Sequence, residues 1–163
     1  MTIKLKDHIS PESEELTVWQ EFRDGFKVKI RYLSRKRLQH IFKLSTRKGW
    51  DRDHRPIEEL DNQKLIKYLA EVIEDWEGLT PEVLATLLPI DVTAAKKALK
   101  EKGLQEIPCT EENKITLLED AYHFDEFIRE VALDAQLFTF ARQKEAEAKN
   151  SSSSSGGGKR PEA

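Results

Sequence analysis

The residues that could perform catalysis or bind a metal are spread along the chain without a recognisable spacing. The four histidines, His8, His40, His54 and His123, are far apart, and no His or Cys pair has the spacing of a zinc site. Cys109 is the single cysteine and lacks the sequence context of a nucleophile, so we interpret it as structural. The sequence therefore predicts a protein that is not an enzyme and has no cofactor or metal.

Two short segments superficially resemble ligand-binding loops. Residues 51–54, Asp-Arg-Asp-His, offer oxygen and nitrogen ligands, but the neighbouring cations Arg52 and Arg55 would repel a metal ion. Glycines 156–158, followed by Lys159, have neither the glycine spacing nor the following helix of a phosphate-binding loop. We interpret both segments as solvated surface.

The segment 79–107 has the order of elements found in a winged helix-turn-helix, with a short helix, a turn, a second helix and a possible strand. Four lysines give the second helix a basic side: Lys96, Lys97, Lys100 and Lys102. Three glutamates dilute that charge, and the helix begins without an Arg or Asn suited to base edges. A solvated amphipathic helix is the favoured interpretation. A DNA-binding regulator is the alternative function, although nucleic acid is a disfavoured partner.

A second group of cations lies around the first predicted helix and the connection after it. It forms a candidate basic docking patch made of Arg35, Lys36, Arg37, Arg47 and Lys48. A solvated surface is the default interpretation of such a run, and docking to an acidic partner is the more specific alternative.

Length and charge limit the classes to which the protein can belong. At 163 residues the chain can form one domain with a hydrophobic core and no disulfide. Its net charge of −3 gives no reason to expect general binding to nucleic acid or anionic membranes. No apolar run approaches the ~18 residues that a membrane span needs, and the N-terminus lacks the apolar core of a signal peptide. We therefore expect an intracellular protein without a membrane partner.

The sequence of the N-terminal third of the chain indicates a small β-hairpin over residues 16–32. Asp24-Gly25 suits a tight turn, and apolar residues alternate with cations from Phe26 to Tyr32. A strict two-residue turn would leave Val18 and Phe22 on the wrong face. A three-residue turn or a bulge would realign them, and the register stays open between these possibilities.

The rest of the chain is predicted to be helical, which gives a mainly α fold of the α+β class. Residues 1–148 would form a single compact domain, with a polar, mobile connection over 45–59. Residues 149–163 are expected to be a flexible Ser/Gly-rich tail. The helices are expected at 35–44, 62–76, 81–88, 94–102 and 111–145.

Two of these helices supply the predicted core. Gly78 would cap the helix over 62–76, and the helix over 111–145 carries a second apolar stripe about half a turn from the first. A helix that is apolar on two sides is either sandwiched in a core or carries one side for a partner. The second stripe, Leu133, Leu137 and Phe140, is the candidate partner-binding side, and we expect Leu137→Asp to spare the fold. The predicted core residues are Leu69, Val72, Trp76, Phe124, Phe127, Ile128 and Val131.

Three segments in this order resemble the tail assembly chaperones of tailed bacteriophages and prophages. They are FKVKIRYLSRKRLQHIF, VIEDWEGLT and ENKITLLEDAYHFDEFIREVALDAQLF, and the resemblance covers roughly residues 16–140. None of them is a catalytic signature. The chain departs from the family around 91–105, where it is longer and more helical than the usual acidic loop.

The resemblance implies a role in virion morphogenesis. Such chaperones bind the tape measure protein while the tail tube assembles in the host cytoplasm, and they are absent from the mature virion. In many phages a translational frameshift appends a domain that recruits the tail tube protein, and residues 151–163 would suit such a linker. A homo-oligomer is compatible with this role. The stripe at Leu133, Leu137 and Phe140 would then be the client-binding surface.

Overall fold

A computed structural model describes residues 2–9 and 13–154, which form an α+β fold with a three-stranded antiparallel sheet and a separate hairpin. The expected compact α+β class is confirmed. None of the described helices is long and apolar enough to cross a membrane. The strands are β1 (Thr17–Arg23), β2 (Phe26–Arg31), β3 (Thr46–Trp50), β4 (Pro56–Leu60) and β5 (Ile73–Glu77). The helices are α1 (Arg35–Ser45), α2 (Asn62–Ala70), α3 (Pro81–Ala85), α4 (Val92–Glu101), α5 (Glu111–Asp120), α6 (Tyr122–Leu133) and α7 (Ala135–Ser154).

The hairpin of β1 and β2 has a two-residue turn together with a bulge. Asp24 and Gly25 have φ angles of +49° and +81°, as the tightest hairpin turns require. The register shifts between Glu21 and Arg23, so Val18 lies opposite Ile30. The bulge is therefore the device that brings the apolar residues of both strands into line.

The helix predicted over 62–76 is wrong in its second half. α2 ends at Ala70, and the chain then forms β5, which pairs antiparallel with β2 and sets Trp76 opposite Val28. β2 needs a hydrogen-bonding partner on its second edge, and the β-branched residues Val72 and Ile73 favour an extended backbone. Gly78 consequently follows a strand and caps no helix.

The single helix predicted over 111–145 is also wrong, because the chain bends twice. Ala121 (ψ 92°) separates α5 from α6, and Asp134 (ψ 90°) separates α6 from α7. A straight helix of that length would extend about 50 Å and could not follow one small core. The Asp134 carboxylate accepts the Gln136 N–H at 3.1 Å and so caps the start of α7.

Other segments also differ from the prediction. The helix expected over 81–88 ends at Ala85, and α7 continues to Ser154, so residues 149–154 of the predicted tail are helical. The remainder of that tail, 155–163, lies outside the described residues. The connection over 45–59 is the hairpin of β3 and β4, with Arg47 opposite Glu59 and Lys48 opposite Glu58.

The core lies between the three-stranded sheet and the helices α2, α5 and α6. Phe127 is half-buried, and its ring centroid lies 4.8 Å from that of Phe22. Phe138 of α7 is buried against Tyr32, with ring centroids 5.2 Å apart. The other predicted core residues are buried: Leu69, Val72, Trp76, Phe124, Ile128 and Val131.

Candidate functional site

The three segments that carry the family resemblance meet in one aromatic cluster. Phe26 of β2 stacks on Phe124 of α6 with ring centroids 5.9 Å apart, and Trp76 of β5 contacts both rings edge-on, at 5.9 Å and 6.4 Å. All three side chains are buried. These segments therefore contribute to the hydrophobic core that positions the rest of the domain.

Residues 80–106, which we call the helical excursion, leave the sheet and return to it at one place. The indole N–H of Trp76 donates to the Ile107 carbonyl at 2.8 Å, and the Ile107 N–H donates to the Leu79 carbonyl at 2.8 Å. The Gly78 N–H donates to Glu106 Oε2 at 2.9 Å. The excursion is thus closed at its base by hydrogen bonds between residues 76–79 and residues 106–107.

The excursion lacks the parts that a winged helix-turn-helix would require. Residues 102–110 contain no strand, so no wing follows α4. Lys96 forms an ion pair with Glu82 of α3. The hydrogen bond that the Lys96 ammonium donates lowers the pKa of the Glu82 carboxyl. One of the four lysines is therefore already matched by a carboxylate. Lys97, Lys100 and Lys102 are exposed.

The predicted basic patch is divided and partly neutralised. Arg35, Lys36 and Arg37 lie in the first turn of α1, and Arg37 approaches Glu71 at 3.8 Å. Arg47 approaches Glu59 at 3.5 Å, and Lys48 lies beside Glu58 in the hairpin register. The prediction of a loop over residues 45–59 does not include these cross-strand glutamates, because their pairing exists only in the hairpin.

The segment 51–54 is the tip of this hairpin. The Asp51 carboxylate accepts the N–H groups of Asp53 and Arg55, both at 2.8 Å, so it closes the turn. Within residues 2–9 and 13–154, no cluster of three or more His, Cys, Asp or Glu side chains is placed to hold a metal ion. Asp51 therefore has a structural role here.

Cys109 is half-buried between β5 and α5. Burial raises the pKa of its thiol to about 11, with the Asp75 carboxylate adding to the effect and the Lys114 ammonium opposing it. The thiol is accordingly protonated at neutral pH, whereas a nucleophilic cysteine needs a lowered pKa.

The apolar stripe predicted to bind a client is split between two helices. Leu133 ends α6 and is 43% exposed, and Phe140 of α7 is 55% exposed. Leu137 is half-buried and packs against the core, because the bend at Asp134 turns α7 toward the sheet. Because of this packing we now expect Leu137→Asp to destabilise the fold rather than to spare it. We call Leu133 and Phe140 the α6–α7 apolar pair.

The surroundings of this pair are charged. The ammonium of Lys144 lies 4.5 Å from the centroid of the Phe140 ring, in a cation–π contact. Glu130 and Asp134, which flank Leu133 in the chain, are both exposed. An apolar surface bordered by charge can bind a partner while the free protein stays soluble.

Trp50 is an exposed aromatic residue that sequence reasoning missed. Trp50 at the end of β3 is 71% exposed, the highest fraction among the three tryptophans. Exposed tryptophans are enriched at protein interfaces. The sequence signal for Trp50 is a tryptophan within a polar segment that has cations before it, Arg47 and Lys48, and carboxylates after it, Glu58 and Glu59.

Comparison of the chain with models of protein families, with curated proteins and with solved structures finds no match.

Proposed function

We propose that this protein is a tail assembly chaperone of a tailed bacteriophage or prophage. It binds the tape measure protein in the host cytoplasm, supports assembly of the tail tube and is left out of the mature virion. The proposal is supported by the resemblance of the three segments, which occur in the family's order over residues 16–140. In this chain they contribute Phe26, Trp76 and Phe124 to one aromatic cluster of the core.

The observation that carries the proposal is the α6–α7 apolar pair. A chaperone for a long, aggregation-prone protein needs apolar side chains exposed at rest, on a surface whose charge prevents self-aggregation. Leu133 and Phe140 meet the first requirement, and Lys144, Glu130 and Asp134 meet the second. We propose this pair as the contact for apolar positions of a client helix.

The helix α7 extends the same surface away from the core. Residues 142–150 of α7 are exposed along their length and carry both positive and negative side chains. A client helix seated on the pair would find polar contacts along this part of α7. Where the gene contains a frameshift, the extension would follow α7 and recruit the tail tube protein.

Co-expression with the tape measure protein tests the proposal. The full chain is produced together with fragments of the tape measure protein encoded beside it, and a tagged copy is recovered. The proposal predicts that at least one fragment becomes soluble and co-purifies, while an unrelated long helical protein does not. The absence of any co-purifying fragment across the whole tape measure sequence would contradict the proposal, as would salt-dependent retardation of duplex DNA by the chain alone.

A further inference from the structure

A groove of about 320 Å³ lies between the end of β1 and one side of α6. The side chains that line it are Phe22, Arg23, His123, Glu126, Phe127 and Glu130. Those from α6 recur at spacings of three and four residues, so they share one side of the helix. Leu133 follows Glu130 by three residues on that same side. The groove therefore continues the α6–α7 apolar pair toward the start of α6.

Two phenylalanine rings form the apolar wall of the groove. Phe22 and Phe127 are both half-buried, with ring centroids 4.8 Å apart. The guanidinium of Arg23 lies 4.6 Å from the centroid of the Phe22 ring, and it donates to the Thr86 carbonyl at 3.4 Å. This aromatic wall is therefore already in contact with one cation of the chain itself.

Two carboxylates on the α6 side of the groove lack a cationic partner. Glu126 and Glu130 are exposed, and neither forms an ion pair in the part of the chain that the structure describes. Asp125 of the same helix, by contrast, is paired with Arg129 at 3.0 Å. Like charges four positions apart on a helix repel each other. A bound cation would remove this repulsion, whereas an anion would increase it.

We propose that the groove binds a lysine or arginine side chain of the client, an inference that rests on the proposed chaperone function. A cation between Glu126 and Glu130 would form ion pairs with both, and its aliphatic stem would cover the exposed part of the Phe127 ring. The two carboxylates outweigh the single guanidinium of Arg23. The groove therefore attracts basic segments and repels acidic ones.

The position of the groove predicts a sequence pattern in the client. The midpoint between Glu126 and Glu130 lies about 8 Å along α6 from Leu133, at the rise of an α-helix. A client helix that runs along α6 should therefore carry its basic residue one or two turns from the apolar residue that contacts Leu133. The apolar pair would supply general affinity, and the groove would select the register and direction of the client.

Binding of a tape measure fragment by groove variants tests the inference. The probe is a fragment that the full wild-type chain keeps soluble, and its dissociation constant is measured at low and high salt. Glu126→Gln with Glu130→Gln should weaken binding at low salt about fivefold or more, and should reduce its salt dependence. The control, Glu112→Gln with Glu119→Gln on α5, removes two other exposed carboxylates and should bind like the wild type.

The outcomes separate the groove from the function on which it rests. Equal dissociation constants for the wild type and the groove variant would overturn the inference and leave the chaperone function standing. A wild type that binds no fragment would contradict both.

Substitutions in the fragment locate the bound cation. Each Lys or Arg of the fragment is replaced by Gln in turn and measured against the wild type and the groove variant. One replacement should weaken binding to the wild type and leave binding to the groove variant unchanged, because that contact is already lost. Equal losses with both proteins for every replacement would overturn the inference.

Thermal unfolding distinguishes a binding role of the two glutamates from a structural one. The groove variant should unfold at the wild-type temperature or slightly above it, since it loses the repulsion between Glu126 and Glu130. A clearly lower transition would assign these carboxylates to the stability of the fold and overturn the inference.

Discussion

The indole N–H of Trp76 in β5 donates to the carbonyl oxygen of Ile107 at 2.8 Å, across 31 residues of chain. A buried tryptophan usually finds such a partner because its N–H loses water on folding. Here the bond also closes the base of the helical excursion, so one side chain links the core to residues 80–106. The Trp76 ring and its N–H therefore have separate, testable roles.

Trp76→Phe removes the hydrogen bond while keeping an aromatic ring in the core. We expect it to lower the free energy of unfolding by about 1–3 kcal/mol, from the lost bond and a small cavity. Hydrogen exchange should also become faster in residues 80–106. Trp50→Phe is the matched control and should cost less than about 0.5 kcal/mol, since Trp50 is exposed. Equal stability of the two variants in urea would contradict the role of the bond.

Gly78 is required by its conformation and by the close approach of the hairpin turn. Its φ is +81°, and an added Cβ would lie 2.2 Å from the Gly25 carbonyl oxygen. Gly78→Ala should therefore destabilise the fold by more than ~2 kcal/mol, because backbone strain and a steric clash combine. Gly103, with φ +69° and open space around its Cβ position, supplies the control. If Gly103→Ala proves as costly as Gly78→Ala, the approach to Gly25 has no energetic consequence.

Cys109 should make stability depend on pH in the alkaline range. Its thiol pKa is about 11 in the folded protein, against about 8.5 in an unfolded chain. Below pH 8.5 both states hold the proton, and above it the unfolded state loses the proton first, so stability falls as pH rises toward 11. Cys109→Ser should reduce this slope in urea titrations. Alkylation of native Cys109 should be slow at pH 7.5, and fast alkylation would show that the thiol is not protected.

Leu137 and Phe140 should respond differently to the same substitution. Leu137→Asp places a carboxylate against the core and should lower the free energy of unfolding by at least ~2 kcal/mol. Phe140→Asp changes an exposed position and should alter stability by about 0.5 kcal/mol or less. Thermal unfolding of both variants checks this difference. A larger loss for Phe140→Asp would mean that its ring belongs to the core.

Local signals predicted part of the fold correctly, and pairing between distant residues explains most of the errors. The turn at Asp24-Gly25 was predictable because its chemistry is local. β5 was predicted as helix because Val72, Ile73 and Trp76 fit a helical period, while the partner strand β2 lies far away in the chain. Ala121 is a good helix former, so only the packing of α5 and α6 around the core marks the bend there.

The predictions of the candidate surfaces also fail where contacts between distant residues decide the structure. The spacing of Leu133, Leu137 and Phe140 indicated one stripe on one helix, but the bend at Asp134 places Leu137 against the core. The hairpin of β3 and β4 was missed because its signal is a set of opposite charges across strands. Single-sequence periodicity does not report such a pattern.

The most direct test of the chaperone proposal is the soluble fraction of a tape measure fragment produced with the wild type and with a surface variant. The variant carries Leu133→Asp and Phe140→Asp. The control, Leu104→Asp, changes an equally exposed leucine in the helical excursion. We predict that the wild type and the control keep the fragment soluble and that the double variant, although folded, does not. Equal solubility with all three proteins would contradict the assignment of the client surface, and an insoluble fragment with the wild type would contradict the chaperone function itself.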